Sequence, residues 1–278
     1  MTFTSYTGFA ADLFAHGAEA AVAHAAALGF SSVELFDAYT AAVPLPRRIP
    51  AAELRRALDA HGLTVACYSI YTHLEKVEEE VLYRDFAEHA AYAAALGSPY
   101  LHHTLRPGER SEGDPSYEEL MPRILERAAT IADIAAKEGV ICLYEPQGFY
   151  FNGLEGLGRF FREMAARCPN VGICGDMGNS LFVDCEPPTV FRAFGREIRH
   201  AHIKDYRILR AEEPKSFRTA GGRYLADALP GEGDIDLAAC FRVLREVGYD
   251  GGIGFEFSAD DNTVRRMMTE IRRLTEEA

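Results

Sequence analysis

Short apolar runs alternate along the chain with longer stretches of helical period. The strand-like runs are 2–8, 32–37 (SVELFD), 64–70 (TVACYSI), 99–105 (PYLHHTL), 140–145 (VICLYE), 171–176 (VGICGD), 198–205 (IRHAHIKD) and 252–257 (GIGFEF). Between them the apolar spacing predicts helices over 16–28, 50–61, 79–96, 117–138, 155–167, 187–196 and 235–247, and a last one at 260–276 closes the chain. Gly29, Gly62, Gly97, Gly139 and Gly248 each follow a helical run, where a left-handed terminating residue is favoured. Strict alternation of eight strands with eight helices demands parallel strands and right-handed crossovers. The expected fold is therefore a (β/α)8 TIM barrel spanning residues 1–278 as a single domain, with no linker or composition break. No GxGxxG follows the first strand, which speaks against a dinucleotide-binding sheet.

Composition adds limits. A barrel of about 250 residues is one folding unit, and 278 residues with 48% hydrophobic and 26% charged positions is an ordinary globular chain. The formal charge of −13 repels phosphate backbones, so nucleic acid is not an expected partner. The N-terminus lacks a basic leader and the alanine-rich stretch 18–29 is too short to span a bilayer, so we expect a cytoplasmic protein with no membrane partner. Six cysteines without a CxxC pair read as buried, reduced thiols.

Four strands in the second half run directly into a ligand-type residue: Glu145, Asp176, His202 and Glu256. In a barrel these strands are consecutive and their C-terminal ends form the mouth, so the four residues line one arc of it. Residues of alternate parity face inward. Glu145 shares a face with Leu143 and Ile141, Glu256 with Gly254 and Gly252, and His202 with His200. Three carboxylates held together repel unless a cation intervenes, which calls for one divalent metal ion. Three oxygen donors and one nitrogen favour Mn2+, with Mg2+ or Co2+ as alternatives.

The runs LYEP, CGDMGN, HAHIKD, GEGDID and GYDGGIGFE together resemble the xylose isomerase-like superfamily of divalent-metal TIM barrels, the sugar isomerase/epimerase group that includes ketose 3-epimerases. The resemblance spans nearly the whole chain and is strongest over 140–257. It implies that Glu145, Asp176, His202 and Glu256 bind the metal and that Glu145 and Glu256 also act as catalytic acid and base. It further implies proton transfer next to a carbonyl through an enediolate, on a small carbohydrate substrate. Return of the proton to the other face gives epimerisation, return to the neighbouring carbon gives isomerisation, and loss of a β-hydroxyl gives dehydration. We expect a sugar isomerase or epimerase. A metal-dependent lyase or dehydratase acting on a keto-sugar or inosose is the alternative, with an apurinic endonuclease-like enzyme and a non-catalytic sugar-binding protein further off.

Substrate contacts are expected from Glu34, His102, Asn179, Lys204 and Arg207. Glu34 ends an inward parity on the second strand, and Lys204 shares the parity of His202. Leu101 and Leu105 share the parity of His103, which turns His102 inward. Asn179 stands where several epimerases carry a histidine and can hydrogen-bond a hydroxyl without titrating. Arg207 lies one residue closer to the ligand histidine than the substrate arginine of the same epimerases. His200, one step deeper than His202, reads as a supporting histidine, and His73 as a mouth-loop residue. Asp234 reads as a helix N-cap. The stretch 206–233, with Arg210, Lys215, Arg218 and Arg223, is too long for an ordinary loop and reads as a lid or an oligomer contact. Its basic residues leave room for a phosphorylated substrate. A barrel with an open mouth gains a wall by dimerising, so a homo-oligomer is the expected assembly.

Overall fold

In the computed structural model, which describes residues 1–38, 49–108 and 110–277, the strands are β1 (Thr2–Ser5), β2 (Ser32–Ala38), β3 (Thr64–Tyr71), β4 (Tyr100–His103), β5 (Ile141–Tyr144), β6 (Val171–Asp176), β7 (Ile198–Ile203), β8 (Asp205–Leu209), β9 (Phe217–Arg218), β10 (Tyr224–Ala228) and β11 (Gly252–Phe255). Strands β1 to β7 and β11 pair in parallel and close into a barrel of order β1-β11-β7-β6-β5-β4-β3-β2. The helices are α1 (Thr7–His16), α2 (Ala18–Leu28), α3 (Ala51–His61), α4 (Glu79–Ala95), α5 (Tyr117–Lys137), α6 (Gly158–Arg167), α7 (Pro187–Phe194), α8 (Leu237–Glu246) and α9 (Asp261–Glu277). None of the described helices is long and apolar enough to cross a membrane.

Strand parity divides the interior in two. Outward residues such as Val33, Tyr144, Ile173 and Phe255 join Phe86, Ile131, Phe160 and Phe241 of the helices in one large core. Each large side chain so buried contributes about 1.5–3 kcal/mol. Inside the barrel, Cys67, Leu143 and Cys174 form a separate apolar plug with Tyr100 and Ile141 packed against it. The space above that plug, towards the C-terminal ends of the strands, is polar.

Two stretches differ from expectation. The first strand ends at Ser5 instead of residue 8, and an additional helix, α1, precedes α2, which takes up the expected helical run 16–28. Only Phe9 of α1 is buried, so its apolar stripe is faint, and Gly17 between the helices has φ +81° and ψ 178°, a conformation essentially confined to glycine. The second difference is the stretch 206–233. It contains an antiparallel sheet of order β8-β10-β9, which peels away from the barrel directly after Lys204.

Asp205 holds that excursion in place. Its buried carboxylate accepts from the backbone N–H groups of Tyr206 (2.8 Å), Gly231 (2.9 Å), Gly233 (3.0 Å) and Ile235 (3.3 Å). The HIKD and GEGD motifs therefore lock together, and a Cβ at Gly233 would fall on the Asp205 carboxylate. Asp234 does not cap α8. It accepts from the N–H of Ile208 at 2.7 Å, while Asp236 caps the helix through Ala239 N at 2.9 Å. Asp205→Ala leaves these donors without their anion and is expected to cost about 3 kcal/mol, read as a lower midpoint in denaturant unfolding.

Candidate active site

The four strand-end residues converge. Glu145, Asp176, His202 and Glu256 each offer one ligand atom, and these atoms all lie within 4.8 Å of one another. Strand register explains it, because His202 pairs with Asp176 on one side and with Gly254, two residues before Glu256, on the other. His202 is at the centre. Its Nδ1 lies 2.9 Å from Glu145 Oε1, 3.2 Å from Glu256 Oε2 and 3.9 Å from Asp176 Oδ2. The ring of Tyr6 stacks on its imidazole at 4.8 Å.

Asp176 is oriented by the turn that follows β6, where Gly178 N (2.8 Å) and Asn179 N (2.5 Å) donate to its Oδ1. Its Oδ2 and Glu256 Oε2 are buried without hydrogen-bond partners. Lys204 lies beside them, with Nζ 2.7 Å from Glu256 Oε1, 3.3 Å from Asp176 Oδ2 and 3.0 Å from Asn179 Oδ1. Gly178 makes space for it, because a Cβ there would come within 2.6 Å of Lys204 Cγ.

The electrostatics follow from burial and neighbours. Burial pushes the Glu145 carboxyl up to about 8, although His202 pulls the other way. Burial also raises Asp176, against the opposing charge of Lys204. For Glu256 burial is outweighed, and Lys204 and His202 hold the group down at about 2. One ammonium does not keep three clustered carboxylates ionised. The oxygens of Asp176 and Glu256 that make no hydrogen bond, facing the same imidazole nitrogen as Glu145, are the arrangement a divalent cation fits, and the O,O,O,N donor set suits a hard or borderline ion.

Beneath the quartet a chain of contacts closes into a ring. Glu34, fully buried, receives His202 Nε2 at 3.0 Å and 3.1 Å, His200 Nε2 at 2.7 Å and the Ser69 hydroxyl at 2.5 Å. Ser69 Oγ is 3.0 Å from His102 Nδ1, and His102 Nε2 is 3.5 Å from Glu145 Oε2, which returns to the quartet. Burial and His202 lower the His102 imidazole to about 3, so it is a neutral ring. Gly254 is what lets these groups approach, since a Cβ there would meet Glu34 Oε2 at 2.8 Å and His202 Cδ2 at 2.9 Å.

Of the expected substrate contacts, His102, Asn179 and Lys204 are brought to the quartet or its edge. Glu34 lies below the mouth, where its carboxylate oxygens are taken up by His200, His202 and Ser69, the placement of a group that orients His202. Arg207 is exposed on β8, donates to Glu232 O at 3.3 Å, and lies on a strand that has left the barrel. His103 packs between Phe86 and Tyr144 on the helix side. The basic residues Arg210, Lys215 and Arg218 are exposed, and Arg223 pairs with Asp184 at 2.6 Å.

Above the quartet is a cavity of about 280 Å³. Glu145, Glu256 and His102 line its inner end, Tyr6, Phe36 and Tyr71 form aromatic walls, and Thr104 and Gln147 contribute neutral polar groups. Tyr6, Phe36, Ser69 and Gln147 were not singled out from the sequence. Ser69 was reachable, since it shares the inward parity of Cys67 on the third strand, but Tyr6 was hidden by a misjudged strand end.

A family description of the xylose isomerase-like TIM barrel matches residues 22–277, and the chain belongs to that family. An inosose dehydratase from Clostridium botulinum (strain Eklund 17B / Type B) is 24% identical over 270 residues, covering 91% of this chain and 86% of that protein. The D-allulose 3-epimerase of Methylomonas sp. superposes with a TM-score of 0.75 at 20% identity, over 99% of this chain and 98% of that one. A xylose isomerase-like TIM barrel protein from Mycobacterium smegmatis in complex with magnesium superposes with a TM-score of 0.71 at 18% identity, over 99% and 97% of the two chains.

Proposed function

We propose that this protein removes the proton next to the carbonyl of a small, uncharged keto-sugar or inosose, using one divalent ion held by Glu145, Asp176, His202 and Glu256. The observation that carries the proposal is the convergence of those four residues where Glu145 and Glu256 face the cavity. A bound divalent ion supplies carbonyl polarisation, which acidifies the adjacent carbon. Lys204 keeps Glu256 in its carboxylate form, the form that accepts a proton, and the Glu256 side chain is the more open of the two at 27% exposed. Glu145, the second carboxylate that faces the cavity, is placed to return one. The aromatic walls exclude water and suit the apolar face of a sugar ring, and the hydroxyl, imidazole and amide groups suit uncharged hydroxyls.

Dehydration is the fate we favour, supported by the similarity to inosose dehydratases along most of the chain. Epimerisation is the second reading, supported by the two carboxylates that line one cavity. Incubation of the Mn2+-loaded protein in D2O with inososes and ketohexoses separates these outcomes by product mass. Loss of one water identifies dehydration, and deuterium uptake without mass loss identifies epimerisation or isomerisation. Neither change with any ketone would sink the proposal.

A further inference from the structure

Among the neutral polar groups around the cavity, one hydroxyl is already engaged. The Thr104 hydroxyl accepts from Thr72 N at 2.7 Å and donates to Thr72 O at 2.5 Å. Two buried polar atoms of neutral side chains there make no hydrogen bond, His102 Nε2, which lies 3.5 Å from Glu145 Oε2, and Gln147 Oε1, the one acceptor of the two that is not beside the quartet. A buried amide oxygen left without a donor is costly unless something that binds there supplies one.

The backbone under Gln147 is built to hold it still. Gln147 and Phe151 form an isolated antiparallel bridge, with Gln147 N donating to Phe151 O at 3.4 Å. The next residue, Gly148, has φ +65° and fits so closely that a Cβ would lie 2.9 Å from the carbonyl oxygens of both Arg106 and Gly108. Arg106 is itself fixed, stacked 4.6 Å from the centre of the Tyr150 ring and paired with Glu75 at 2.5 Å. A backbone held this way fixes the point from which the Gln147 side chain enters the cavity, and so limits the freedom lost on binding.

We infer that Gln147 is the specificity-determining residue of the cavity, its Oε1 accepting a hydrogen bond from one hydroxyl of the bound keto-polyol. This rests on the proposed function, since it presumes a hydroxylated ligand beside Glu145 and Glu256. Selection arises because a ligand lacking that hydroxyl leaves the amide oxygen as bare as it is now.

The test is calorimetric titration of 2-keto-myo-inositol, D-fructose and their single-deoxy derivatives into Mn2+-loaded wild-type and Gln147→Leu proteins, with D2O exchange measured alongside. We expect Gln147→Leu to bind the parent ketone about tenfold more weakly with its Mn2+ isotherm unchanged. One deoxy derivative should bind the two proteins equally, which names the hydroxyl that is read. Equal affinity of both proteins for every parent ketone, with wild-type exchange intact, overturns the role of Gln147 and leaves the proposed function standing. Absence of both binding and exchange in the wild type overturns both.

Discussion

Glu256→Gln is expected to lower turnover by about 10³-fold, the usual contribution of a positioned acid/base group, while the protein keeps its fold. The substitution preserves shape and removes one of three crowded anions. Two effects on stability oppose each other. Lys204 loses a partner at 2.7 Å, and Asp176 and Glu145 lose a repelling neighbour. Because sites that concentrate like charges are built for chemistry at the expense of stability, the melting temperature should stay within a few degrees of wild type. Turnover measured by deuterium exchange, together with a thermal melt and a count of bound metal per chain, checks each part. Undiminished exchange in the variant would remove Glu256 from the catalytic pair.

Glu34→Gln should weaken metal binding by about 10–100-fold, the range seen when the partner of a ligand histidine is removed, with little change in the affinity for ketone. The amide keeps one acceptor and introduces a donor where His200 Nε2, His202 Nε2 and the Ser69 hydroxyl all point inward. Two donors then face each other, so a loss of about 2–3 kcal/mol of stability accompanies the change. Competitive titration against a chromophoric chelator reads the metal affinity. A shifted KM with unaltered metal affinity would instead return Glu34 to the role of a sugar-binding residue.

The barrel and the arc of its mouth were legible because hydrophobic period reports which face of a strand is buried. The same parity turned His102 inward and His103 outward, as the structure has them. Parity does not report depth or closure. Glu34 and Glu145 both face inward, yet one lies beneath the histidines and the other at the cavity, a difference set by strand stagger around the barrel. Tyr6 reaches His202 only because the first and last strands pair, a contact spanning most of the chain. The β8–β10 sheet escaped notice because its strands are short and half-exposed, without clean alternation. Gln147 carries no chemical signature as a residue type, and its importance comes from the bridge and glycine that aim it.

The apolar plug has a practical use beyond support. Cys67 and Cys174 are sealed inside the barrel at 0% exposure, on neighbouring sides of Leu143. A thiol reagent reaches them only when staves of the barrel part, whereas Cys185, half-buried on a surface turn, lies within easier reach. Labelling rates at these sulphurs form a clock: the outer thiol counts local breathing, and the inner pair counts openings of the whole barrel.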